Sequence, residues 1–156
     1  MKPKATKFVV MDEYSVAKYE CDEPHIVISI RSPSGERVRL PKNDLRMDTL
    51  WLAFHDVDDT EGGQQARHMI KVLREEPVIF SLKMARKVLD FVERNAEATT
   101  IVVNCEAGIS RSAGVAASLS KVLTGDDEEF FRRYCPNTTA YKKIMKEAVK
   151  KWVWCQ

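Results

Sequence analysis

The sequence predicts an α/β domain, with a mostly parallel central sheet of about four or five strands flanked by helices. Three observations carry that expectation. Short β-branched runs recur along the chain and, in its second half, alternate with segments of helical period. Glycine and proline punctuate the junctions, as in "SPSG" (Ser32–Gly35). One run, "TTIVVNC" (Thr99–Cys105), is apolar and β-branched almost throughout, the composition of a parallel strand covered on both faces. The 156 residues are expected to form one domain, 1–156, long enough to bury a sizeable core.

Taken in order, "KFVVM" (Lys7–Met11) is expected as a strand and "EYSVAKYEC" (Glu13–Cys21) as a brief helix or turn. "HIVISIRS" (His25–Ser32) reads as a second strand and "DTLWLAFHD" (Asp48–Asp56) as a third. The stretch "DVDDTEGGQQ" (Asp56–Gln65), acidic and then glycine-rich, has the composition of a mobile loop. Gln65–Arg74 is expected to be helical. So is Ser81–Asn95, with Met84, Val88 and Phe91 on one face and Ser81 as its cap. Beyond the Thr99–Cys105 strand, Val115, Ala116, Leu119, Val122 and Leu123 recur at helical spacing, so a helix begins close to Arg111. Asp126 with Glu129 makes an acidic version of the capping box, opening a helix through Tyr134. Asn137 is expected to cap a last helix with the apolar stripe Tyr141, Ile144, Met145, Ala148, Val149 and Trp152. The lysines 142, 143, 146 and 150 are expected on its solvated face.

Composition excludes several functions. A net charge of +2, with 44% apolar and 31% charged residues, gives no bulk electrostatic pull toward nucleic acid or membrane. No apolar run approaches the roughly 20 residues that span a bilayer, and the basic start "MKPKATKFVVMDE" has no signal-peptide pattern. Cys21, Cys105, Cys135 and Cys155 are scattered without a CxxC pair, so a reducing, cytoplasmic setting with usable free thiols is expected. Cys21 and His25 have a loosely ligand-like spacing but no second half of a zinc site, and are read as unrelated surface residues.

The chemistry concentrates in "NCEAGISRS" (Asn104–Ser112). Between a strand ending at Cys105 and a helix starting at Arg111, the residues Glu106, Ala107, Gly108, Ile109 and Ser110 must curl with successive N–H groups pointing inward. Such a nest at a helix N-terminus binds anions. Gly108 supplies the torsions of a tight cradle, and Arg111 a planar fork for two phosphoryl oxygens. The same field favours thiolate over thiol, which makes Cys105 the nucleophile for in-line attack on a bound phosphorus. Ser110 and Ser112 offer hydroxyls at the closing end, and Ser112 is the better placed to stabilise the sulfur as it departs.

Displacing an alkoxide needs a proton donor, and hydrolysing a thiophosphate needs a base; one carboxylate on a movable loop can serve both steps. "FHDVDDTEGG" places Asp56, Asp58 and Asp59 just past a strand, before a glycine pair suited to hinging. Glu75 and Glu76 are more distant candidates.

"NCEAGISRS" resembles the C-x5-R-[ST] signature of the cysteine-dependent protein tyrosine and dual-specificity phosphatases. The spelling "AGISRSA" is similar to the small dual-specificity type and its stand-alone bacterial and phage relatives, and "RRYCPNTTAYKKIM" to the segment where that family sets proline–asparagine before its last helix. The likeness covers roughly Asp48 to Trp152 and is vague before that. It implies a phosphate-binding loop between strand and helix, a cysteinyl-phosphate intermediate, Asp56 as general acid ahead of Asp58 and Asp59, and no metal or other cofactor. Two features depart from the family: Asn104 stands where histidine is usual, and extra residues around Glu61–Pro77 set the acid loop farther upstream.

Three other classes share some of these letters. "LAFHDVDDT" also matches the D-x-D-x-T box of haloacid-dehalogenase-type phosphatases, with Asp56 as nucleophile, Asp58 as acid and "GDDEE" supplying Mg²⁺ ligands, but two strand-like runs precede it and Cys105–Ser112 goes unexplained. Glu106 after the cysteine is a rhodanese-like feature, which Gly108 and Ser112 outweigh. A non-catalytic phosphate-binding module is the non-enzyme alternative. A loop without lysine and with Glu106 favours phosphorylated protein or peptide over inositol polyphosphates; RNA 5′-phosphates, substrates of some relatives, stay open, although nucleic acid is not the expected partner.

Overall fold

The computed structural model describes residues 2–152; Cys155 lies outside them. Its strands are β1 (Lys7–Met11), β2 (His25–Arg31), β3 (Arg46–Ala53) and β4 (Thr100–Asn104). They pair in the order β1-β4-β2-β3, every neighbour parallel, as the α/β pattern predicts. The helices are α1 (Glu13–Val16), α2 (Gln64–Val72), α3 (Leu82–Arg94), α4 (Arg111–Thr124), α5 (Glu128–Arg133) and α6 (Thr138–Lys151). No helix among the described residues is long and apolar enough to cross a membrane.

Strand alternation divides the core between two faces. Ile26, Ile28 and Ile30 of β2 and Ile101 and Val103 of β4 pack with Phe80, Leu89, Val115, Leu119, Ile144 and Trp152 from the α3, α4 and α6 side. Val27 and Val102 point the other way, onto Val16 of α1. Burying one large apolar side chain is worth about 1.5–3 kcal/mol, so the α3/α4/α6 face, far richer in such groups, dominates the folding energy. Helix α4 is buried from Arg111 through Ser120, which its run of Ala, Gly and Ser permits by letting it lie between the sheet and α6.

Several element boundaries differ from expectation. Strand β3 starts at Arg46, two residues early, and leaves the sheet at Ala53 rather than Asp56. Phe54 N–H still donates to Arg31 O, but His55 turns to the returning segment: its N–H donates to Val78 O at 2.7 Å and its Nδ1 accepts from Val78 N–H at 2.9 Å. Asp126 accepts from Glu128 N–H at 2.9 Å, and Glu129 pairs with Arg133 instead of closing a capping box. Ser81 and Asn137 do cap α3 and α6, accepting from Met84 and Ala140 N–H. Ile144 and Ala148 of α6 and Trp152 at its end are buried but Val149 is exposed, whereas Glu147 is buried between Arg86 and Lys150, each 3.5 Å away. Lys143 is drawn off the solvated face, donating to Phe80 O at 2.9 Å. Cys21 and His25 are buried, not superficial, and both face the carbonyl of Glu23.

Candidate active site

Cys105 directly follows β4, which lies between β1 and β2 although it comes last in sequence. Parallel sheets gather ligands at the carboxyl ends of such strands, where neighbouring connections diverge. The loop from Cys105 to Arg111 is shaped by its carbonyls. Glu106 O accepts from Glu13 N–H, Ile109 O from Cys135 N–H, and Ser110 O from both Gly114 and Asn137 N–H. With its carbonyls turned outward, the loop leaves the amides of Glu106, Ala107, Ile109 and Ser110 without an acceptor among the described residues. Free amides on one side and satisfied carbonyls on the other are what an anion cradle requires.

Gly108 makes that curl possible. Its φ is +67°, and a Cβ there would lie 2.5 Å from Asp12 N and 2.6 Å from Met11 C, so both conformation and space demand glycine. Its N–H points at the buried Cys105 Sγ at 3.3 Å, and Ser112 Oγ lies 3.0 Å from the same sulfur. A thiolate there accepts from both. Arg111 is also buried. Its Nη1 donates to Ser32 Oγ and Phe54 O, each at 3.0 Å, while Nη2 lies 3.7 Å from Glu106 Oε2. The guanidinium is therefore held at one nitrogen by the ends of β2 and β3, leaving Nη2 and Nε for phosphoryl oxygens.

The three loop aspartates are separated by their partners. Asp56 Oδ1 accepts from Ser110 Oγ at 2.6 Å and from Asn137 Nδ2 at 3.1 Å, so this exposed carboxylate sits on the lip of the cradle. Its Oδ2 has no hydrogen bond among the described residues. Asp58 Oδ1 accepts instead from Thr138 Oγ1, Thr139 Oγ1 and Thr139 N–H, at the N-terminus of α6. Asp59 pairs with Lys143 at 3.0 Å, and that hydrogen bond holds its carboxyl below the ordinary range. Glu75 lies 3.0 Å from His55 Nε2, tying the extra segment to the base of the acid loop. The glycine pair falls in a 3-10 turn (Glu61–Gly63) rather than in a free hinge; a Cβ on Gly63 would lie 2.3 Å from Asp58 O.

The structure thus brings Cys105, Gly108, Ser110, Arg111, Ser112 and Asp56 together and leaves Asp58 outside. Asn104 does not support the sulfur: by strand alternation it shares the Val102 face, opposite to Cys105. The arrangement also separates the parts of a magnesium-dependent site. Asp56 meets the N-terminal end of α4, whereas "GDDEE" follows its C-terminal end, about 20 Å away for a helix of this length. Among the described residues no group of three His, Cys, Asp or Glu side chains is gathered to hold a metal.

Sequence reasoning missed the second task of Asn137, which caps α6 with Oδ1 while its Nδ2 holds Asp56. Ser32 and the Phe54 carbonyl were missed as holders of Arg111. "CPN" signalled the cap, but nothing local signals a contact 81 residues away.

No family model matches the chain, and no curated protein does. Among solved structures, the chain is similar to that of the human tyrosine phosphatase-like serine/threonine/tyrosine-interacting protein. The TM-score is 0.54 at 15% identity, over 97% of each chain. A likeness at that identity is one of fold, and the fold is phosphatase-like.

Proposed function

We propose that this protein is a cysteine-dependent phosphomonoester hydrolase of the protein tyrosine or dual-specificity type, acting on phosphorylated protein or peptide. The observation that supports it most is the sulfur of Cys105, buried under unengaged amides and approached by Gly108 N–H and Ser112 Oγ.

In the first step the Cys105 thiolate attacks phosphorus, the Sγ–P bond forms and the P–O bond to the leaving group breaks. Asp56, protonated, delivers its proton to the departing oxygen, and the Oδ2 without a partner suits that transfer. The amides of Glu106, Ala107, Ile109 and Ser110, with Nη2 and Nε of Arg111, hold the three equatorial oxygens, where charge accumulates. In the second step Asp56 takes a proton from water, the new O–P bond forms, and the Sγ–P bond breaks. Ser112 donates to the sulfur as it regains negative charge.

Hydrolysis of p-nitrophenyl phosphate tests this. Turnover is expected to survive EDTA, to be blocked by vanadate, and to fall at least about a thousandfold in Cys105→Ser. Loss on chelation with an active Cys105→Ser would transfer the chemistry to Asp56 and a metal. Vanadate affinity without turnover would leave a phosphate-binding module.

A further inference from the structure

We propose that His55 is a positioning residue for the general acid, braced by the extra segment around Glu61–Pro77 so that its turn presents Asp56 to the leaving group. The inference rests on the phosphatase reading above and extends it to how the acid is aimed.

Strand β3 ends at Ala53, and the next three residues divide the work of the site. Phe54 O accepts from Arg111 Nη1, and Asp56 Oδ1 accepts from Ser110 Oγ on the lip of the cradle. His55 lies between them, 8% exposed, an imidazole that no step of the reaction uses. Every polar group it has is engaged. Its N–H donates to Val78 O at 2.7 Å and its Nδ1 accepts from Val78 N–H at 2.9 Å, a closed pair of bonds to one residue. An Nδ1 that accepts puts the ring proton on Nε2, which donates to Glu75 Oε2 at 3.0 Å. Its carbonyl accepts from Val57 N–H at 2.9 Å. A bond from residue i+2 back to residue i closes a γ-turn, and the residue at the apex is Asp56.

The sheet does not hold this turn. The last register pair of β3 is Ala53 with Arg31, and the last backbone bond to β2 runs from Phe54 N–H to Arg31 O. Beyond that point the backbone is carried by His55, and His55 by Glu75 and Val78. The same extra segment grips the far end of the loop, where Arg67 of α2 donates to Asp58 O and, at 2.9 Å, to Thr60 O. No residue of α2 is buried, so its grip on the loop, not a share of the core, is what it contributes. Asp56 thus stands between two holds from one insertion. A shift of His55 carries Asp56 and the Phe54 carbonyl with it, and a reacting group misplaced by about 1 Å can lose about a hundredfold in rate.

The test compares kcat/KM on p-nitrophenyl phosphate, whose leaving group departs readily without a proton, and on phenyl phosphate, whose leaving group needs one. His55→Phe keeps the ring's bulk and removes both nitrogens; His55→Asn keeps an acceptor near the place of Nδ1. In His55→Phe the loss on phenyl phosphate is expected to exceed that on p-nitrophenyl phosphate about tenfold, with vanadate affinity retained, and His55→Asn should recover most of the difference. Glu75→Ala, a partly exposed change that leaves the Val78 pair in place, should open a gap of about threefold, and it decides the matter if His55→Phe does not fold. Equal losses on the two substrates in both variants, or a His55→Asn no better than His55→Phe, overturn the positioning role. A wider gap in Glu75→Ala than in His55→Phe also overturns it, by making Glu75 the acid. Absence of any aryl phosphate turnover by the unaltered protein overturns the phosphatase reading instead.

Discussion

The loop from Cys105 to Arg111 is anchored through its main chain, whereas the loop from Phe54 to Gly63 is anchored largely through side chains. In the first, carbonyls are bound by Glu13, Cys135 and Asn137, and Gly108 is wedged against Met11 and Asp12. In the second, Asp56 reaches Ser110 and Asn137, Asp58 reaches the start of α6, and Asp59 reaches Lys143. A cradle that must hold charge without reorganising is best built from backbone, which cannot swing away. A carboxylate that must approach and then leave room for water is suited to a side-chain latch.

The largest expected effect breaks the rigid half. Arg111→Lys keeps the charge but loses the fork and its contacts to Ser32 and Phe54, and kcat/KM on p-nitrophenyl phosphate is expected to fall about a thousandfold. Retained activity would mean that charge alone, not a preset geometry, holds the phosphate.

Next come the three aspartates, which differ only by what they touch. Asp56→Asn should lower kcat about a hundredfold on a phosphopeptide, while Asp58→Asn and Asp59→Asn change kcat less than about threefold. The reverse order would move the acid to a residue that must first release α6.

Asn137 sharpens the latch. Asn137→Ser keeps an oxygen able to cap α6 but removes the donor to Asp56, so kcat should drop about tenfold with stability changed by less than about 1 kcal/mol. Chemical denaturation measured beside kinetics separates the two roles.

The smallest effect is electrostatic. The Asp59 carboxyl is held low chiefly by its hydrogen bond to Lys143, so its contribution is present above the ordinary carboxylate range and lost as pH falls through the lowered value. Asp59→Asn should cost about 0.5 kcal/mol at pH 7, the pair being partly exposed and screened, and progressively less as the pH falls through that lowered value. A loss that does not change with pH would assign the effect to packing.

Much of this was written locally. The strand Thr100–Asn104, the helix from Arg111, the caps Ser81 and Asn137 and the cradle between them each depend on neighbours a few residues apart, through torsional preference, helical period and side-chain reach. The separate partners of Asp56 and Asp58, the hold on Arg111 by Ser32 and Phe54, and the turning of Asn104 away from the sulfur are of another kind. Each depends on which strand lies beside which and where the chain leaves the sheet. Periodicity can identify a segment as strand or helix, because that is a property of adjacent residues. It cannot rank three aspartates in one loop, because their difference lies in residues 137 to 143, which only folding brings alongside.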